Sequence, residues 1–398
     1  MKSPARGLRW LWVFLGTGSC ALHVALGKNS ILAENVYSRG IFVGLRWFWD
    51  YTLGISPFPL VYVFLMAAFL WVAARKLSGH ARMVRIPDHP VASLIAGYPS
   101  GQATTPKPAA VSGKAGRARS SSWKKFSGGL LFIAGWAGML VFLFYGLWGF
   151  NYNRVSVEKQ LRLEVEPLGL AAIRAEVEAT ARALTGARVS IPGAMKAALG
   201  NDVLPRDLEA SLRGSLSGVL GDAGIPVSGR PRIRSLWPGG LLMRFSSTGF
   251  YFPYCGEGYI AGNLTAAEKP FVTAHEMVHA YGITDEGAAN FLGFLACQSS
   301  GEPAIRYSGL LSYWEYVFSE LARASRDDAK IIAARLPVGV RADIRAAREN
   351  WDRYRGSFQA AAEAVYERYL RSQGVAEGIR SYDRFVSLVV AWKRREAR

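Results

Sequence analysis

His275, Glu276 and His279 stand as H-E-x-x-H within FVTAHEMVHAYG, a spacing that suits a metal centre. Four residues of α-helix turn about 400°, so both imidazoles leave one face, one turn apart. They suit two corners of a tetrahedral zinc site with nitrogen distances near about 2.1 Å. Glu276 can take a proton from water held on that metal, which zinc brings to a pKa of about 7. The bland reading is two histidines on an ordinary helix, since short patterns recur by chance. The histidine census argues against it: His23, His80 and His89 lie toward the N-terminus, and residues 154–398 hold only the motif pair.

With no third histidine there, the remaining ligand has to be a carboxylate or a cysteine, and Asp285 and Glu286 follow closely. Read as H-E-x-x-H-x-x-G-x-x-D, the stretch resembles the metzincin motif with Asp285 in place of the third histidine. That family also places a methionine under the metal, and no Met follows Met277. Glu286 fits better. Gly282 can end the first helix in the left-handed conformation, and Thr284 can cap the next, which runs through DEGAANFLGFLAC. On that helix Glu286 and Asn290 are i and i+4 and share a face, so Glu286 can bind metal while Asn290 orients a neighbouring ligand. A Glu-x-x-x-Asn helix packed on an H-E-x-x-H helix resembles the gluzincin layout. The alternative is that both acids only favour a helix N-terminus.

These residues also carry a wider likeness. HEMVHAYGITDEGAANFLGFLAC, the preceding GFYFPYCGE, WGFNYNR after the third apolar run and GIRSYDRF near the end together resemble a bacterial membrane-protein family known as domain of unknown function 3810. The resemblance implies three N-terminal spans and an outer domain with a zincin-like helix pair. It bears on architecture and metal site more than on substrate. A second acid that the family carries before Ala-Asn-Phe-Leu is Ala288 here.

Further residues could take part in hydrolysis. Zincins lay substrate along a sheet edge beside the metal, and GEGYIAGN (256–263) is a candidate edge or an ordinary strand. Glu257 reads equally as a supporting acid or a structural one. A Tyr or Arg commonly stabilises the oxyanion, and Tyr382, Arg380, Tyr254 and Tyr251 are candidates. Cys255 and Cys297 could pair, although Cys297, on an apolar helix, reads better as a buried thiol.

The elements that must position this chemistry follow from charge and hydropathy. Residues 1–150 carry 16 Lys+Arg against 3 Asp+Glu, and residues 151–398 carry 32 against 27. Three stretches lack any charge: Trp10–Gly27, Tyr51–Ala74 and Phe126–Asn153. A bilayer needs roughly 20 helical residues, which predicts spans over about 10–27, 54–74 and 128–150. The first, behind Lys2, Arg6 and Arg9, also reads as a signal peptide, but no clear small-x-small cleavage site follows. Residues 75–125 hold ten basic residues and one acid among Pro, Gly, Ser and Ala. They read as a flexible cytoplasmic linker, which places the N-terminus in the cytoplasm and everything after Asn153 outside. Nucleic acid is a poorer explanation of that charge than topology.

Residues 154–398 show helical spacing over 158–184, broken at Pro167, and over 204–221. Short β-like runs follow (RIRSLW, LLMRFSS, GFYFPY, GYIAG), and then helix to the end. The expected fold is α+β and predominantly helical: a membrane region (1–153), then a zincin-like extracytoplasmic domain with a small sheet (154–398). The expected activity is that of a zinc metallopeptidase in the inner membrane, acting on a peptide or protein through His275, His279, Glu286 and Glu276. The other reading is a non-catalytic, zinc-stabilised scaffold.

Overall fold

The computed structural model describes residues 4–83, 114–191, 197–354, 356, 359–373 and 384–398, with only the backbone of 4–5, 75–83 and 114–126. Up to Leu147 the described residues are mainly helical: α1 (Pro4–Gly27), α2 (Ser30–Leu32), α3 (Phe42–Tyr51), α4 (Leu60–Met83) and α5 (Lys114–Leu147). A π-helical stretch, Ala33–Ile41, joins α2 to α3. Next come α6 (Val157–Gln160), α7 (Leu170–Val189) and α8 (Leu208–Asp222), then β1 (Ile233–Leu236), β2 (Gly249–Phe252) and β3 (Glu257–Ala261). The rest is helix: α9 (Lys269–Ala280), α10 (Glu286–Gln298), α11 (Pro303–Ala324), α12 (Arg326–Ala334), α13 (Val338–Tyr354), α14 (Gln359–Ser372) and α15 (Arg384–Glu396).

Among the described residues, two helices are by themselves long and apolar enough to cross a membrane, Arg6–Gly27 and Ser127–Leu147. The expected span 54–74 is not one continuous helix. Its helix begins only at Leu60, and Leu60–Ala74 qualifies only together with Ser30–Ile55, from which it is bent by 77°. Pro57 and Pro59 explain the break: each lacks an N–H donor, and its ring clashes with the preceding turn. Inside the stretch read as linker, α4 runs to Met83 and α5 starts at Lys114; residues 84–113 lie outside the described residues.

The chain forms two compact units. One comprises Met1–Gly16 and Val61–Leu140. Within it α1 and α5 approach backbone to backbone, since a Cβ on Gly138 would lie 2.3 Å from the Trp12 carbonyl oxygen and one on Gly16 2.5 Å from that of Gly138. Small residues allow such packing without a hydrophobic driving force between helices. Trp71 of α4 meets Trp136 of α5 edge-on at 5.5 Å.

The other unit comprises Thr17–Leu60 and Val141–Arg398. Its sheet has the order β1-β3-β2, with β1 parallel and β2 antiparallel to β3. LLMRFSS, expected as a strand, instead forms a 3-10 turn over Leu242–Phe245. Beneath the sheet lies α9, with α10 packed against it, and both are buried along most of their length. That burial makes them apolar on nearly every side, and α11 and α15 close the core through Phe294, Tyr313 and Phe385. Gly293 lets α10 run close to α9, since a Cβ there would sit 3.3 Å from the His275 nitrogen.

Residues 30–55 bury charge in the same unit. The Arg46 guanidinium holds Asp50 through two hydrogen bonds, and Asp50 Oδ2 also accepts from the Arg230 N–H at 2.7 Å. Glu34 takes both Nε and Nη2 of Arg154, at 3.0 and 2.8 Å. Glu257 is structural here: it accepts from Leu60 N, Tyr259 and Arg234.

Candidate metal centre

His275 and His279 lie on the last two turns of α9, and Glu286 is the first residue of α10. Between them Gly282 takes φ +84°, as expected for the helix end, and turns the chain back. The cap of α10 is Asp285 rather than Thr284: its Oδ1 accepts the Ala288 N–H at 2.7 Å. Its Oδ2 accepts from Arg384 at 3.0 Å, so Asp285 is turned to the helix end and away from the metal-ligand role held open for it.

Three donor atoms converge. The Nε2 atoms of His275 and His279 are 3.0 Å apart, and Glu286 Oε2 lies 3.2 and 3.3 Å from them. Tetrahedral ligands at about 2.1 Å from one ion stand about 3.4 Å apart, so this donor set fits a zinc-sized cation. His279 Nδ1 lies 2.6 Å from the Ile283 carbonyl oxygen, which fixes that nitrogen as the N–H and leaves Nε2 as the lone-pair donor. Among the described residues, His275, His279 and Glu286 are the group close enough to hold a metal ion.

Two of these side chains have strongly coupled protonation in the metal-free protein. Burial alone would lower the His279 pKa, but the adjacent Glu286 carboxylate outweighs it and raises it to about 9. Burial alone would raise Glu286, and His279 and His275 instead hold it well below the usual carboxylate range. Glu276 is different. Burial pushes it up to about 7, against the pull of the two imidazoles. Its Oε2 is buried without a hydrogen-bond partner.

Two glycines make room for Glu276. A Cβ on Gly249 of β2 would meet Glu276 Oε1 at 2.5 Å, and one on Gly258 of β3 would come within 3.3 Å of Glu276 Cβ. The stretch expected as the sheet edge, 256–263, supplies the middle strand β3, and the edge nearest Glu276 is β2.

Of the other residues singled out by sequence, Asn290 lies one turn on from Glu286 and donates to the Tyr316 hydroxyl at 3.3 Å. Tyr254 sits in the turn after β2 against Phe252, with ring centroids 5.2 Å apart. Tyr251 Oη accepts from Arg46 at 3.2 Å. Tyr382 and Arg380 lie outside the described residues. Cys255 and Cys297 are both buried free thiols.

Sequence reasoning missed Tyr366 of α14, whose hydroxyl donates to Glu286 Oε1. Nothing local marks it, because 80 residues separate the pair. It also left WGFNYNR without a role. That segment wraps the turn after α9: Trp148 Nε1 donates to the His279 carbonyl oxygen at 3.0 Å, and Arg154 to that of Gly282 at 3.0 Å.

No curated protein and no solved structure matches the chain. Residues 110–390, well over half its length, match the model of the family described as protein of unknown function (DUF3810), and the chain belongs to that family.

Proposed function

We propose that this chain is a membrane-anchored zinc-dependent peptidase whose site faces the outer side of the membrane. One observation carries the reading: two imidazole nitrogens and one carboxylate oxygen lie 3.0–3.3 Å apart, beside a buried glutamate with an unpartnered oxygen. A zinc ion held there would supply Lewis acidity toward a carbonyl and bring water near a pKa of about 7. Glu276, itself raised to about 7, has the proton affinity to take a proton from attacking water and return it to the leaving amine. The Tyr366 hydroxyl, already against Glu286, can turn to donate to the oxyanion.

The sheet offers a seat for the substrate. Ala261 N donates to Thr248 O, so in this register Gly249 and Tyr251 direct their backbone groups away from β3. An extended peptide added at Tyr251 would run past Glu276 as a further strand.

The membrane topology rests on charge. The excess of basic residues in 75–125 keeps that loop cytoplasmic, and the segment between the first two spans and everything after Asn153 then share the other side. The ion pairs of Glu34 and Arg46, buried within the unit that holds the site, support this arrangement, because lipid would leave them unmet.

A non-catalytic zinc site would be closed by a fourth protein ligand, whereas among the described residues three converge. Glu276→Gln is expected to keep stoichiometric zinc and lose at least about 100-fold of hydrolysis of a casein-derived peptide library. His279→Ala is expected to lose both. Wild-type hydrolysis by Glu276→Gln overturns the assignment.

A further inference from the structure

The C-terminal end of α5 lies beside the metal centre. The apolar stretch Ser127–Leu147 has 21 residues. At that length a helix rises about 32 Å and needs all of it to cross about 30 Å of hydrocarbon. Leu147 therefore stands at the border of hydrocarbon and headgroups, and Trp148, the next residue, is of a type enriched there. From that border the ligands are one or two side chains away. Trp148 donates to the His279 carbonyl oxygen, and the two ring centroids are 6.4 Å apart. Phe144, inside the span, meets Tyr369 at 6.2 Å, and Tyr369 stands 6.1 Å from Tyr366, whose hydroxyl donates to Glu286. A headgroup layer is roughly 5–8 Å deep, so His279 lies within its reach.

The stretch 30–58 is inside out for a protein in water. Val36, Trp47, Phe48, Ile55 and Phe58 are exposed, whereas Glu34, Ser38, Arg46 and Asp50 are buried. Lipid calls for that inversion, with apolar side chains outermost and charges paired within. The polar side grips the strand next to the metal centre: Arg46 donates to the Tyr251 hydroxyl at 3.2 Å, and the Trp148 ring packs 5.4 Å from that of Tyr251. Two residues back along β2, Gly249 abuts Glu276. The other apolar helix meets the same segment after α5, since Asn153 Nδ2 lies 2.8 Å from His23 Nδ1 of α1.

Resting on the peptidase reading, we propose that the metal centre works at headgroup depth and that its substrate is a polypeptide itself anchored in the same membrane. A strand laid along β2 advances about 3.3 Å per residue. From Gly249 to the hydrocarbon border is two residues of β2 and one headgroup layer, about 15 Å, so the bond beside Glu276 lies within about five residues of the bilayer. An anchored chain is held at high local concentration over that distance, whereas a free peptide arrives only by diffusion.

The test uses the full chain with zinc in phosphatidylcholine vesicles. One casein-derived peptide library is offered in three forms: free, joined through either terminus directly to dipalmitoyl phosphatidylethanolamine, or joined through a polyproline spacer of about 20 residues, roughly 60 Å long. Two acyl chains keep the joined forms on the membrane. The directly anchored library should be cut about tenfold faster than the spaced one, as expected when a tether grows from about 15 to about 60 Å. Its cleavage sites should fall within about five residues of the lipid. Equal rates for the two anchored forms, or sites spread evenly along the directly anchored one, overturn the proposal and leave the peptidase reading standing. No hydrolysis of any form overturns both. A second measurement is independent of turnover. Phe48→Cys, labelled with bimane in a Cys20→Ser background that leaves only buried thiols besides, is read in zinc-free protein. Nitroxide on the lipid chains should quench the label more strongly than aqueous iodide does; equal or stronger quenching by iodide overturns the proposal.

Discussion

Gly249 on β2 and Glu276 on α9 stand so close that only a hydrogen fits on the Gly249 α-carbon toward the carboxylate: a Cβ there would lie 2.5 Å from Glu276 Oε1 and 2.8 Å from the Tyr259 carbonyl oxygen. The strand and the carboxylate thus set each other's place. Gly249→Ala has to displace one of them, and a shift of about 1 Å in a reacting group can cost about 100-fold in rate. The expected outcome is a fall in kcat of about 10- to 100-fold with bound zinc unchanged, measured by peptide hydrolysis and metal analysis of one preparation. Wild-type kcat would show that Glu276 is not held by this contact.

The His279–Glu286 pair predicts opposite pH trends with and without metal. In the metal-free protein His279 is raised from 6.5 to about 9, so its contribution to stability is complete below 6.5 and is lost as pH rises through about 9. Glu286 is lowered from 4.5, so its contribution is complete above 4.5 and is lost as pH falls further. On these two groups the chelator-treated protein is most stable between 4.5 and 6.5. Metal requires neutral His279 and must displace its proton. Zinc affinity should therefore rise about tenfold per pH unit from 7 to about 9, with release of close to one proton at pH 7. Competition against a fluorescent chelator at several pH values checks the slope; a flat profile would contradict the pairing.

Tyr366 reaches Glu286 from α14, across 80 residues of sequence. Partners that orient a metal ligand are worth about 10- to 100-fold in metal affinity. Tyr366→Phe should weaken zinc binding within that range. A role at the oxyanion adds a second signature: kcat should stay depressed after zinc is restored to saturation, while KM changes little. Recovery of full kcat at saturating zinc leaves Tyr366 with positioning alone.

What could be read from sequence divides by range. His275, Glu276 and His279 share one helix, so their geometry follows from 3.6 residues per turn, and Glu286 lies just past a glycine turn. The partners that shape the site come from far along the chain: Gly249, Tyr366, Trp148 and Arg154 carry no local pattern pointing to α9 or α10. The sheet shows the same limit. GFYFPY and GYIAG are visible as strands, but which of them is the edge depends on β1 inserting its pairing against β3. Hydropathy likewise finds Tyr51–Ala74 as one uncharged run, yet Pro57 and Pro59 divide it, and windows of composition do not weigh a missing N–H.

Arg46 and Asp50 tie residues 30–55 to the strands that flank the site. Each is almost wholly buried, and the pair also meets the Arg230 N–H and the Tyr251 hydroxyl. Coulomb attraction inside a protein roughly offsets the cost of taking both charges out of water, so the pair as a whole need not stabilise the fold. Removing one partner is another matter, because the survivor stays buried and unmet. Asp50→Ala is expected to cost about 3–5 kcal/mol in detergent-solubilised protein. Arg46→Met combined with Asp50→Leu should recover most of that loss, since neither charge then remains to be desolvated. Urea melts of Asp50→Ala and of the double variant check this. A double variant no more stable than Asp50→Ala would mean that the bonds to Arg230 and Tyr251, rather than the stranded charge, hold residues 30–55 against the sheet.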